Sequence, residues 1–266
     1  MNIHNLGTLD APVLLYGGPY SNLQATKAMF AWADRTGIPP ERRICTGDIM
    51  AHCADPAATL ALVRKAGGAV LAGNIEKQLA AGAPDCGCGC DTGSACDQMA
   101  KAWYAHADAS LNPEARDWLA ARPERIVLRH CGRRYVVIHG GAGDIARFLW
   151  PITPEDDFWH EISILQEEVG AIDGVIAGHC GIPFSRSIDG IRWINAGSIG
   201  MPPHDGQPET SFAVLEDGEV RIERLEYDFA AAAAAMAKAG LTQGYETALK
   251  TGFWPAEDVL PKAMRR

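Results

Sequence analysis

Residues 43–76 read RICTGDIMAHCADPAATLALVRKAGGAVLAGNIE, and the fold turns on how this stretch is parsed. Arg43 to Thr46 reads as a short strand ending on Gly47-Asp48, Pro56 to Lys65 as a helix, and Ala69 to Ala72 as a strand that runs into Gly73-Asn74. Strand, helix and strand at this spacing predict a right-handed βαβ crossover and a parallel sheet, whose ligands gather beyond the carboxyl ends of the strands. Asp48 and Asn74 sit at two such ends. Upstream, Pro12 to Tyr16 (PVLLY) is another apolar run, bounded by Gly17-Gly18, and Asn22 to Asp34 reads as the helix after it.

Downstream, Ala83 to Asp97 is rich in Gly and Cys without periodicity, and Asp97 to Ala107 and Pro113 to Ala121 read as helices. Residues 84–121 are therefore expected as a Cys-rich loop and helical cap inserted into the sheet. Strands resume at Arg125 to Cys131 and Arg134 to Ile138, the second ending at His139-Gly140-Gly141. Pro154 to Glu168 reads as a helix, and Gly174 to Ala177 as the strand before Gly178-His179. Phe184 to Tyr227 holds four short strands punctuated by Asp189-Gly190 and Asp217-Gly218, both hairpin signals, so an antiparallel second sheet is expected there. An Ala-rich helix, Phe229 to Ala239, opens an otherwise irregular C-terminal stretch over 229–266. No repeat or linker divides the chain, which reads as a single domain over 1–266.

The 266 residues are 47% hydrophobic and 21% charged, an ordinary globular composition. The formal net charge of −9 argues against a nucleic-acid polymer as partner, since binding to a phosphate backbone needs clustered Lys and Arg. A small substrate fits better than a polymer, and an anionic phosphate ester is still compatible with this charge where a bound cation attracts it locally. No run approaches the roughly 18 apolar residues of a membrane span, and MNIHNLGTLD lacks a basic-then-apolar leader, so a cytoplasmic protein without membrane contact is expected.

Four strand ends thus deliver Asp48, Asn74, His139 and His179, each a hard or borderline metal ligand. Their order and context resemble the calcineurin-like metallophosphoesterases, particularly the bacterial branch of small phosphodiesterases and dinucleoside-tetraphosphate hydrolases. The resemblance spans nearly the whole chain, through Gly47-Asp48, Gly73-Asn74-Ile75-Glu76, His139-Gly140 and Gly178-His179-Cys180-Gly181. It extends to Ser21-Asn22-Leu23, Ile182-Pro183-Phe184, Asn195-Ala196-Gly197-Ser198-Ile199-Gly200 and Ser211-Phe212-Ala213-Val214-Leu215. It implies an α/β fold, a four-layer αββα sandwich of two mixed β-sheets flanked by helices.

The same resemblance implies a two-metal site, half of which is missing here. One metal in the family takes the Asp and His of a D-x-H motif, a bridging Asp, and the second His of G-H-x-H; the private positions are Gly18, Tyr20 and Gly181 in this chain. The other takes the bridging Asp, an Asn and two His, all retained as Asp48, Asn74, His139 and His179. That set suits one Zn²⁺, Mn²⁺ or Fe²⁺. The histidine that the family places at the leaving group is Ile75, which can neither donate nor accept a proton. Tyr20, Asn22, His52 and His204 are the residues expected to face the substrate.

Four of the eight cysteines, Cys86, Cys88, Cys90 and Cys96, crowd into CGCGCDTGSAC. Two readings stand: their thiolates supply a second, softer ion where the first metal has lost its ligands, or the loop is a lid with buried thiols or a disulfide. The function expected is hydrolysis of a small phosphorylated metabolite or nucleotide through a metal-bound hydroxide. The alternative is a non-catalytic protein of this fold, an interaction scaffold like the retromer subunit or a metal or redox sensor.

Overall fold

Every residue of β2 (Val13–Tyr16) is buried, which a strand achieves only when both faces of its sheet are covered. Its side chains alternate between two cores, as the period of two demands. Val13 and Leu15 meet Ile44, Ile126, Val137, Ile176 and Ala213 in a layer between two sheets, whereas Leu14 and Tyr16 pack outward with Met29 and Phe30 of α1 (Leu23–Arg35). The computed structural model, which describes residues 2–266, repeats this division in each central strand.

In chain order, β1 (Ile3–Thr8) precedes β2 and α1, and β3 (Arg43–Cys45), α2 (Pro56–Ala66), β4 (Ala69–Val70) and α3 (Asn74–Ala81) follow. Next come α4 (Ala95–Ala109), α5 (Pro113–Ala120), β5 (Arg125–His130), β6 (Arg133–Val137), α6 (Glu155–Val169) and β7 (Gly174–Ala177). Last are β8 (Phe184–Ile188), β9 (Ile191–Asn195), β10 (Thr210–Glu216), β11 (Glu219–Leu225), α7 (Phe229–Lys238) and α8 (Tyr245–Thr251).

One sheet has the order β1-β5-β6-β7-β9-β8 and the other β11-β10-β2-β3-β4. Both are mixed. Parallel pairs run through β2, β3 and β4 and through β6, β7 and β9, while β5/β6, β8/β9, β10/β2 and β10/β11 are antiparallel. Helices close the outer faces: α6 sends Phe158, Ile162 and Leu165 onto Val136, Val175 and Trp193. The expected sandwich of two mixed sheets is therefore the observed one.

The four strands of 184–227 do not form a sheet of their own. The β8/β9 hairpin joins the first sheet through parallel pairing of β9 with β7, and the β10/β11 hairpin joins the second through β2. Three elements absent from the sequence reading are present: β1, α3 and α8. No helix is long and apolar enough to cross a membrane, among the described residues.

Candidate functional site

Asp48 follows β3 at φ 59° and His179 follows β7 at φ 61°. Left-handed backbone at a non-glycine residue costs on the order of 1–3 kcal/mol, so the surroundings have to hold it. At Asp48 the holder is Glu76, wholly buried in the first turn of α3. Its carboxylate accepts backbone N–H groups from Asp48, Ile49 and Gly73, each at 2.8 Å. Gly73 has no room for a side chain, since a Cβ there would lie 2.3 Å from Asp48 Oδ1.

Four donor atoms converge on the space so defined. His139 Nε2 lies 3.2 Å from Asp48 Oδ2, 3.0 Å from Asn74 Oδ1 and 3.1 Å from His179 Nδ1. His179 Nδ1 is 3.9 Å from Asp48 Oδ2. Donors about 2.0–2.1 Å from a tetrahedral ion lie roughly 3.3–3.4 Å apart, which is the scale of these separations. The orientation fits as well. His139 Nδ1–H donates to the Thr46 carbonyl at 2.6 Å, leaving the Nε2 lone pair for the cluster, and Asn74 Nδ2 donates to the Cys86 carbonyl at 2.9 Å, turning Oδ1 inward. Asp48, His139 and His179 form a group able to hold a metal ion, with Asn74 beside it.

The charges call for a cation. Burial raises the Asp48 pKa, but His139 and His179 outweigh it and hold the carboxyl well below the usual carboxylate range. Burial disfavours the charged form of His139, yet Asp48 overrides it and the net shift is upward; at His179 burial prevails and the shift is downward. Burial, then repulsion from Asp48, pushes Glu76 up. All three partners of Glu76 are N–H donors, however, so the geometry fits the ionised form. Two buried carboxylates share this corner, and no Lys or Arg is among the described residues lining the adjoining pocket.

That pocket has a volume of about 100 Å³ and mainly apolar walls that include the rings of Tyr20, His52, Trp103, Phe148, Tyr245 and Trp254. Phe148 stands 4.3 Å from the His179 ring, centroid to centroid. His52 packs against Tyr20, Trp103 and Tyr245 at 4.7, 4.9 and 4.4 Å, and burial pushes its pKa down to about 4. Ile75 also lines the pocket.

Aromatic rings stand beside Gly18 and Gly181, two positions where the resemblance places ligands of a second metal. A Cβ on Gly18 would lie 2.4 Å from Tyr20 Cζ, so the Tyr20 ring fills the space above Gly18. A Cβ on Gly181 would lie 3.5 Å from Trp254 Cζ2. Trp254 is fixed by its backbone N–H to His204 Nδ1 at 2.9 Å and its indole N–H to the Pro202 carbonyl at 2.7 Å.

Of the four residues expected to face the substrate, Tyr20 and His52 line the pocket, whereas Asn22 and His204 do not. Asn22 is committed at both ends of its amide, capping α1 at Ala25 N–H and donating to the Gly200 carbonyl. His204 is occupied by Trp254 and by Glu257, 3.3 Å from its Nε2. The Cys loop folds onto the pocket, with Cys88, Cys90 and Cys96 in its wall, but as the disulfides Cys86–Cys88 and Cys90–Cys96. Sulfur in a disulfide is no thiolate ligand, so this form corresponds to the lid reading. Glu76 and the carbonyls of Thr46 and Cys86 escaped the sequence reading. Only Glu76 left a signal, as the acidic residue closing Gly73-Asn74-Ile75-Glu76.

No family model matches the chain, and no curated protein matches it. Among solved structures it is similar to a metallophosphoesterase from Sphaerobacter thermophilus, with a TM-score of 0.69 and 21% identity over 92% of this chain and 100% of that one. It is also similar to a hypothetical protein from Pyrococcus horikoshii OT3, with a TM-score of 0.74 and 17% identity over 91% of this chain and 98% of the other. Identities this low speak to architecture alone, and on that level the chain has the metallophosphoesterase fold.

Proposed function

We propose that this chain is a single-metal phosphoesterase that hydrolyses a small phosphorylated molecule with an acidic leaving group, such as that of an aryl ester. The observation that carries the reading is the convergence of Asp48 Oδ2, Asn74 Oδ1, His139 Nε2 and His179 Nδ1 at the floor of an aromatic pocket. A divalent ion held there supplies Lewis acidity toward a phosphoryl oxygen and toward water. Asp48 and the two histidines hold it, Thr46 and Cys86 aim His139 and Asn74, and Glu76 keeps Asp48 in its left-handed turn. Tyr20 favours one ion over two by filling the space above Gly18, where the resemblance places a ligand of the other metal.

The walls select the organic group. With no cationic side chain among the described lining residues, a substrate with one phosphoryl group is better matched than a polyphosphate. Ile75, 1% exposed, stands where the resemblance puts a proton donor, so the leaving group has to depart without one. The test compares bis(4-nitrophenyl) phosphate with a dialkyl phosphodiester, using protein loaded with Mn²⁺, Zn²⁺ or Fe²⁺ and Asp48→Ala as the control. Acid catalysis is worth about 10²–10⁴-fold and would compress the leaving-group preference by that factor, so without it the aryl ester should keep its full intrinsic reactivity advantage. A preference smaller than that of the uncatalysed reaction by about 10² or more refutes this.

The same Ile75 supports a second reading, a metal-binding scaffold without turnover. Stoichiometric metal with no hydrolysis of either ester would favour it.

A further inference from the structure

We propose that Cys86–Cys88 is a thiol–disulfide exchange site through which an external dithiol sets the metal affinity of Asp48, Asn74, His139 and His179. The proposal rests on the reading of that cluster as a metal centre. It starts from the covalent ring Cys86-Gly87-Cys88, whose two sulfurs are bonded across a sequence separation of 2. The Cys86 carbonyl is the hydrogen-bond acceptor behind the Asn74 amide, at 2.9 Å. The ring is thus one bond removed from a metal donor.

A second tie runs through Gly87. Its backbone is left-handed at φ 55°, and a Cβ there would lie 2.5 Å from Nε2 of Gln78, so the turn is wedged against α3, the helix that begins on Asn74. The site is also accessible. Cys88 is half-buried and lines the pocket, while Cys86 is buried. Of the four free cysteines, Cys45, Cys53 and Cys180 are buried, and Cys131 is exposed.

The exchange balances as two electrons. A thiolate of the dithiol attacks Cys88 Sγ, the bond to Cys86 breaks, and Cys86 leaves as a thiolate that takes up a proton. The second thiol of the reagent then displaces Cys88 from the mixed disulfide. The dithiol departs as its own disulfide, and Cys86 and Cys88 remain as thiols. Opening the ring frees the Cys86 peptide from its closed turn, and the Asn74 amide loses the acceptor that aims Oδ1 at the metal. Loss of such a supporting hydrogen bond typically weakens metal binding about 10–100-fold.

The experiment uses full-length protein purified in air without reductant. A denatured thiol count should give four free cysteines, rising to all eight after dithiothreitol. Dithiothreitol is removed by anaerobic gel filtration, and Co²⁺ affinity is measured in both forms by competition with a chromophoric chelator. The reduced form should bind one Co²⁺ about 10–100-fold more weakly, with recovery on reoxidation. Cys86→Ser/Cys88→Ser should bind at the weak level whatever the treatment, whereas Cys90→Ser/Cys96→Ser should keep the shift. Equal affinity in both forms overturns the proposal, as does a shift that survives in Cys86→Ser/Cys88→Ser. A second Co²⁺ gained on reduction with the first unweakened also overturns it and makes the loop a thiolate site. No binding in either form refutes the metal centre itself, and this proposal with it; a failed ester assay alone leaves it standing.

Discussion

Replacing Glu76 by Gln removes a charge without removing volume, which isolates the job of the buried carboxylate. Oε2 accepts the N–H groups of Asp48 and Gly73, and Oε1 accepts that of Ile49. If the glutamine oxygen takes the Oε2 place, its NH₂ faces the Ile49 N–H, donor against donor. Each buried group left without a partner costs about 1–3 kcal/mol, so the gross loss is about 2–6 kcal/mol. Relief of repulsion offsets part of this, because Asp48 raises the Glu76 pKa. The net expectation is a loss of about 2–3 kcal/mol in the metal-free protein, with weaker metal binding as Asp48 relaxes from φ 59°. Urea unfolding followed by tryptophan fluorescence should show the midpoint falling by about 1 M for a slope near 2–3 kcal/mol/M. Stability within about 0.5 kcal/mol of the parent, with unchanged metal affinity, would refute the reasoning and mean that Glu76 carries a proton.

Asp48→Ala should lose metal by more than about 100-fold, whereas Tyr20→Phe, which keeps the ring above Gly18, should retain it; elemental analysis after dialysis distinguishes them. His52 is held neutral to about 4 from an ordinary 6.5, so its protonation favours the unfolded chain. Stability should therefore fall as pH drops from about 6.5 to about 4, by at most about 3 kcal/mol from this group, and His52→Phe should remove that part of the slope in denaturant titrations. Gly18→Asp should destabilise by about 2 kcal/mol or more, since φ is 39° and the Tyr20 ring blocks the side chain. Adding Tyr20→His to it should recover part of the loss in thermal melts.

The parallel strands were legible because they are short apolar runs cut off by Gly-Asp, Gly-Asn, His-Gly and Gly-His, and those cuts carry the residues that converge on the candidate metal site. β1 was not, because IHNLGT is a mostly exposed edge strand whose identity comes from pairing with β5, more than a hundred residues away. α3 was hidden because it starts on Asn74, a residue read as the end of a strand. Hairpins are local, so Asp189-Gly190 and Asp217-Gly218 marked the turns correctly. Which sheet each hairpin joins is decided by β7 and β2, and no local signal records that. The four donors were readable from order and context. The positions of Asn22 and His204 were not, since the Gly200 carbonyl and Trp254 claim them through contacts at long range.

Trp254 has a consequence for the order in which this molecule becomes competent during synthesis. By residue 179 all four donors have been translated, and both sheets lack only their last hairpins. The ring over Gly181 and the pins at His204 and Pro202 wait for residue 254, and Tyr245, Ala256 and Val259 complete the same wall. A nascent chain paused before that point would expose Asp48, Asn74, His139 and His179 to solvent in an open trough, so on the proposed function it could take an ion before it can discriminate among substrates.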